Sequence, residues 1–140
     1  MSFSLDTNFL VSILFADAHT ARAFAWLGLG AIEINVSDWA ATELFALVHR
    51  RVRAGLIAPD VAAAALIDFD AFMASRARRL PQSAAAGSHA ADLARDAALK
   101  LSAADALHLA LSADSGHSLV TFDQRLADAA RARGYPVEIP

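Results

Sequence analysis

Short apolar segments, each followed by a capping residue and a helical stretch, set the outline of this chain. Phe3-Ser4-Leu5 precedes Asp6-Thr7-Asn8 and then a helical pattern over 8–15, with Leu10, Ile13 and Leu14 on one side. A second helix is expected over 17–27, ended by Gly28 and Gly30. Ile32-Glu33-Ile34-Asn35-Val36 alternates apolar and polar residues, as a strand does. Ser37 or Asp38 can cap the next helix, which runs to about Ala54 before Gly55. Pro59 is placed to open another through about Ser75. Arg79-Leu80-Pro81 reads as a short strand and 83–99 as a helix. Ser102 caps a helix that Gly116 closes, 118–121 is a strand, and Asp123 caps the last helix, ended by Gly134. Val137-Glu138-Ile139 forms a final strand. Strands separated by one or two helices require right-handed crossovers and a parallel sheet covered on both faces. The expected fold is three-layer α/β/α, with four or five parallel strands in the central sheet.

A chain of 140 residues is expected to form one domain over 1–140, large enough to bury its own core. With 56% hydrophobic and 19% charged residues, the composition is globular rather than disordered. The absence of cysteine excludes disulfides and thiolate metal sites. MSFSLDTN lacks the basic segment and long apolar run of a secretory signal, and no run approaches the length of a membrane span. The expected setting is cytoplasmic. A net charge of −3 confines any nucleic-acid contact to local patches.

Four carboxylates stand where this plan could gather them. Asp6 and Asp123 each fall just past a strand and just before a helix, where ligands of open parallel sheets bind. Asp105 lies three residues after Ser102, in the first turn of its helix. Glu43 is further into its own helix and shares a face with Trp39, Leu47 and Arg50. Each acid has a plainer role open to it. Asp6 and Asp123 can be helix caps, Asp105 can complete a capping box with Ser102, and Glu43 can edge an apolar stripe. A cap does not preclude ligation, because a carboxylate has two oxygens. Four carboxylates brought together repel one another unless a cation joins them, and oxygen donors favour magnesium or manganese.

The segments LDTNFLVSIL, SDWAATELFAL and LSAADALHLALSADSGHSLVTFDQRLADAARARG resemble the PIN-domain family, and within it the VapC-type toxins of prokaryotic toxin–antitoxin pairs. DALHLA followed by a short strand and T-x-D is the most specific part, and residues 56–100 are the least diagnostic. The resemblance implies a metal-dependent endoribonuclease with Asp6, Glu43, Asp105 and Asp123 as its acidic metal-site residues. It also implies supporting roles for Thr121 and Asn8. The implied partners are an RNA substrate, a cognate antitoxin and a second copy of the chain. Magnesium takes few protein carboxylates directly, so Asp6 with Asp123 or Asp105 is expected to bind it and Glu43 to act through water, as ligand or as base.

Other features carry less. His108, one turn beyond Asp105, reads as structural within an Ala/Leu-rich helix, although it could touch RNA or a bound water. HRRVR at a helix C-terminus complements the macrodipole, and Arg76, Arg78 and Arg79 form a second basic cluster. Arg50, Arg53 and Arg79 are the candidates from these patches for phosphate contact. Trp26 and Trp39 could stack on bases, but read first as core or dimer residues. Two further functions compete. One is a phosphatase using Asp6 as nucleophile, disfavoured because Asn8 breaks the D-x-D that haloacid-dehalogenase-type enzymes carry. The other is a module that binds RNA or protein without catalysis, disfavoured because none of the four acids is missing.

Overall fold

The computed structural model of the protein describes residues 1–30 and 32–140. Five strands form one sheet: β1 (Ser2–Leu5), β2 (Glu33–Ser37), β3 (Ala77–Leu80), β4 (Ser118–Val120) and β5 (Val137–Glu138). Their order is β3-β2-β1-β4-β5, and every pairing is parallel. Seven α-helices connect them among the described residues: α1 (Thr7–Leu14), α2 (Thr20–Leu27), α3 (Asp38–Arg53), α4 (Pro59–Arg76), α5 (Ala84–Arg95), α6 (Ala103–Asp114) and α7 (Gln124–Ala132). The expected three-layer architecture is the one observed, with five strands.

Strand alternation divides the core in two. Phe3, Leu5, Ile34, Val36 and Val120 pack in one cluster with buried residues of α1, α2, α3 and α4. Leu119 packs in the other with residues of α5, α6 and α7. Adjacent residues of one strand point to opposite faces, so Leu119 and Val120 serve different layers. Trp26 belongs to the first cluster, edge-on to Phe3 and Phe9, and its indole N–H donates to Glu138 at 2.8 Å. Trp39 packs half-buried against the second. Among the described residues, no helix is long and apolar enough to cross a membrane.

Two helices differ from the sequence expectation, and local polar bonds account for both. α2 begins at Thr20 rather than at Asp17. Asp17 instead accepts bonds from the Ser12 hydroxyl at 2.8 Å and the His19 N–H at 2.7 Å, which holds 15–19 as a loop. The helix expected over 83–99 stops at Arg95. There Asp96 caps a separate 3-10 turn, Ala97–Leu99, and Lys100 turns the chain with a left-handed φ of 53°. β3 also starts earlier than expected, at Ala77, pairing in register with β2 from Ile34.

Candidate active site

The carboxyl ends of β1 and β4 lie side by side at the centre of the sheet, with Leu5 opposite Val120. Asp6 and Asp123 are the residues that leave these two strands for helices. Asp6 caps α1, and its N–H extends the ladder to the Val120 carbonyl at 3.0 Å. Asp123 caps α7 by accepting the N–H groups of Arg125 at 2.8 Å and Leu126 at 3.3 Å. Ser102 caps α6 by accepting the Asp105 N–H at 3.1 Å. Among the described residues the Asp105 carboxylate makes no return bond to Ser102, so the capping box is not closed and Asp105 faces the cleft.

A cleft of about 480 Å³ runs over these ends. Its lining includes Asp6, Glu43, Asp105 and Asp123, together with Thr7 and Asn8. Four elements thus bring the four candidate carboxylates onto one surface. Thr121 is fully buried beneath them and ties the floor together. Its hydroxyl donates to Asp6 Oδ2 at 2.7 Å and accepts from the Asp123 N–H at 2.9 Å and from Asn8 Nδ2 at 3.1 Å. Asn8 Oδ1 in turn accepts the Phe122 N–H at 3.1 Å. Both polar ends of Asn8 are therefore spent on joining α1 to the turn after β4.

Two residues of the site carry more than the sequence suggested. His108 is buried, and it packs against the acids rather than only within its helix. Its Nε2 stands 2.5 Å from Glu43 Oε2 and 3.4 Å from Asp6 Oδ1. Thr7, which sequence reasoning passed over, donates its hydroxyl to Glu43 Oε2 at 2.9 Å and lies 3.2 Å from His108 Nε2. The spacing of His108 from Asp105, one helical turn on the same face, was the available signal for the first. Nothing local could have paired Thr7 with Glu43, 36 residues away.

The charges of these groups are mutually adjusted. Burial pushes the Asp6 carboxyl above its ordinary value, and the Asp105 charge adds to this, against the lowering effects of His108, Thr121 and Thr7. Burial would lower the His108 imidazole, but the Glu43 hydrogen bond and the charges of Asp6, Glu43 and Asp105 outweigh it and raise it. Glu43 is likewise penalised by burial, yet the bond and charge of His108 and the Thr7 hydroxyl hold it below its ordinary value.

The donor set suits a hard divalent cation: four carboxylates line the cleft, and Asp6 is a buried carboxylate beside another acid. Among the described residues, no three acidic or histidine side chains stand close enough to hold an ion as placed. His108 lies against two of these acids, Asp6 and Glu43, and serves as their counter-charge.

The basic residues of α3 divide between the cleft lining and the surface outside it. Arg51 lines the cleft with Leu47, whereas Arg50 and Arg53 do not. The i, i+4 spacing of 43, 47 and 51 explains this: these three residues share the helix face turned to the acids. Arg79 is paired with Asp38 near the end of β3, away from the cleft.

The chain matches the model of the PIN domain over residues 4–132. No curated protein matches it. Among solved structures it is similar to VapBC2 from Rickettsia felis bound to a promoter DNA fragment, at a TM-score of 0.75 and 20% identity, covering 99% of this chain and 98% of that one. It is similar also to Mycobacterium tuberculosis VapC20, a sarcin-ricin loop cleaving toxin, at 0.73 and 19%, covering 91% and 94%. DNA-bound VapBC from Salmonella typhimurium gives 0.70 and 19%, covering 99% and 97%. These likenesses extend over the same five-stranded sheet whose central strand ends carry Asp6 and Asp123, and with the family model spanning nearly all of it, the chain belongs to the PIN-domain family.

Proposed function

We propose that the chain is a divalent-metal-dependent endoribonuclease, acting as one PIN domain over 1–140 and as the toxin of a toxin–antitoxin pair. The observation that carries this reading is the convergence of Asp6, Glu43, Asp105 and Asp123, from four separate elements, on one open cleft. Family membership supports a nuclease. The similar solved structures support the rest: one is a sarcin-ricin loop cleaving toxin, and others are of VapBC, a family of toxin–antitoxin systems. On this reading the partners are an RNA substrate, a cognate antitoxin and a second copy of the chain, in the cytoplasm.

Asp6, Asp105 and Asp123 would hold magnesium or manganese, with Glu43 reached directly or through water. A bound divalent ion supplies a nucleophilic water near neutral pH and offsets the charge that builds on the phosphoryl oxygens. The chain's own groups set the stage for this. Thr121 orients the Asp6 carboxylate from below and joins it to the turn that carries Asp123. Thr7 and His108 fix the Glu43 carboxylate through Oε2, so that its other oxygen can orient or deprotonate a water. The cost of holding an ionised Asp6 in a buried setting keeps the site receptive to a cation. A phosphatase role is less well supported, because Asn8 offers a committed amide where a second carboxylate would be needed.

The test is RNA cleavage in magnesium or manganese by the purified protein. Cleavage is expected to disappear in Asp6→Ala and Asp105→Ala proteins that retain their circular dichroism, and in excess chelator. Activity that survives both substitutions would place the chemistry elsewhere.

A further inference from the structure

One wall of the cleft is aromatic, and no step of the proposed hydrolysis uses it. Phe122 is the middle residue of Thr121-Phe122-Asp123, so its ring is fixed next to two groups of the acid site. Its inner neighbour is the fully buried Phe9, parallel within 6° at a centroid distance of 5.7 Å. On Phe122 lies the imidazole of His19, parallel within 10° at 4.4 Å. The Arg22 guanidinium stands 5.4 Å from the centre of the Phe122 ring. A column of rings thus begins in the core and ends with His19 in the cleft, where both Phe122 and His19 are lining residues.

The position of His19 is enforced. Asp17 accepts the His19 N–H at 2.7 Å and the Ser12 hydroxyl at 2.8 Å, and its own N–H donates to Thr20 Oγ1 at 2.9 Å. Thr20 Oγ1 donates in turn to the Ser12 carbonyl at 2.8 Å. These bonds hold the start of α2 at Thr20, three residues past Asp17, and keep His19 in the loop that lines the cleft. A half-buried imidazole stacked on a phenyl ring, held by a loop with its own bond network, is a preformed flat surface with little ordering cost left to meet. Nucleobases are the substrate groups that add to such a column, because each has a π-face whatever its sequence.

We propose that the His19–Phe122 pair is the stacking platform for one unpaired nucleobase of the substrate, next to the bond that is cut. This rests on the ribonuclease reading and assigns the cleft wall a positioning role that the acids do not supply. It implies that cleavage requires a base that can leave its stack, as in a loop, bulge or single strand. Arg51, over the Phe15 ring at 5.8 Å on the cleft lining, is then free to face the backbone of the same strand.

The experiment is steady-state cleavage of one oligoribonucleotide with a mapped cut, and of copies with a single abasic site at each position around it. His19→Ala is expected to raise KM roughly tenfold or more, the scale of a lost base–aromatic stack, with a smaller change in kcat. His19→Phe is expected to restore most of the loss, since it keeps a ring. One abasic position should produce the same penalty in the wild-type protein, and no added penalty in His19→Ala. If KM is unchanged in His19→Ala, or if the abasic and alanine losses simply add at every position, the platform is overturned and the ribonuclease reading stands. If the wild-type protein neither cuts nor binds the parent RNA in magnesium or manganese, both fall together.

Discussion

His108 Nε2 stands 2.5 Å from Glu43 Oε2, joining α6 to α3 beneath the cleft surface. The pair sets how the site behaves without a metal. His108 binds its proton more tightly folded than unfolded, so the stability it contributes is fully present below its ordinary value of 6.5 and is lost as pH rises through the raised folded value. Glu43, lowered, contributes above its ordinary value of 4.5 and loses that as pH falls. Asp6, raised, also makes the folded state less stable as pH increases. In chelator, the melting temperature is therefore expected to decline above about pH 6.5, and His108→Gln to flatten that decline. A wild-type melting temperature that climbs steadily from there to pH 9 would contradict the assigned charge states.

Metal binding should reverse part of this penalty. A ligand that binds only the folded state adds about 2.7 kcal/mol at a hundred times its dissociation constant. Titrating manganese or magnesium into chelator-stripped protein should raise the melting temperature of the wild type. The rise should be absent in Asp6→Asn, which removes the buried charge beside Asp105. Equal shifts in both proteins would move the ion elsewhere.

Thr7 offers a cleaner probe of Glu43 than Glu43 itself. Thr7→Val preserves shape but removes the hydroxyl that donates to Oε2 at 2.9 Å. The loss is expected to cost about 1 kcal/mol of stability. It should lower RNA cleavage by roughly 10- to 100-fold, the range found when groups that orient metal ligands are removed. Thr7→Ser, which keeps the donor, should recover most of the activity. Urea unfolding and single-turnover cleavage would measure the two effects.

Thr121→Val is expected to be more damaging to the fold. That hydroxyl is fully buried and serves Asp6, Asn8 and the Asp123 N–H together. Leaving buried partners unpaired costs about 1–3 kcal/mol per group, so a loss of about 2 kcal/mol or more is expected by urea denaturation. Thr121→Ser should retain most of it. A valine protein as stable as wild type would mean that the three bonds are replaced by water.

How much of this was legible in advance follows the range of the interactions. Asp6, Ser37, Ser102 and Asp123 cap helices through N–H groups within three residues, so each helix start near them could be read from adjacent letters. The same locality placed Asp6 and Asp123 at strand ends, and short strands separated by one or two helices implied the layered parallel sheet. Where a local bond competed, the reading slipped: Asp17 was spent on the loop before α2, and Asp96 on the break after α5.

What only the tertiary structure decided was rotation and long-range pairing. Helical spacing says that 43, 47 and 51 share a face, but packing against the sheet chose that face for the cleft and so chose Arg51 over Arg50 and Arg53. Thr7 with Glu43, Glu43 with His108, and His19 with Phe122 are separated by 36, 65 and 103 residues, with 103 being the difference between positions 19 and 122. No periodicity reaches that far. These pairs form because burying two apolar faces on one sheet fixes the helices around it, and the polar groups left at the strand ends then have only one another to meet.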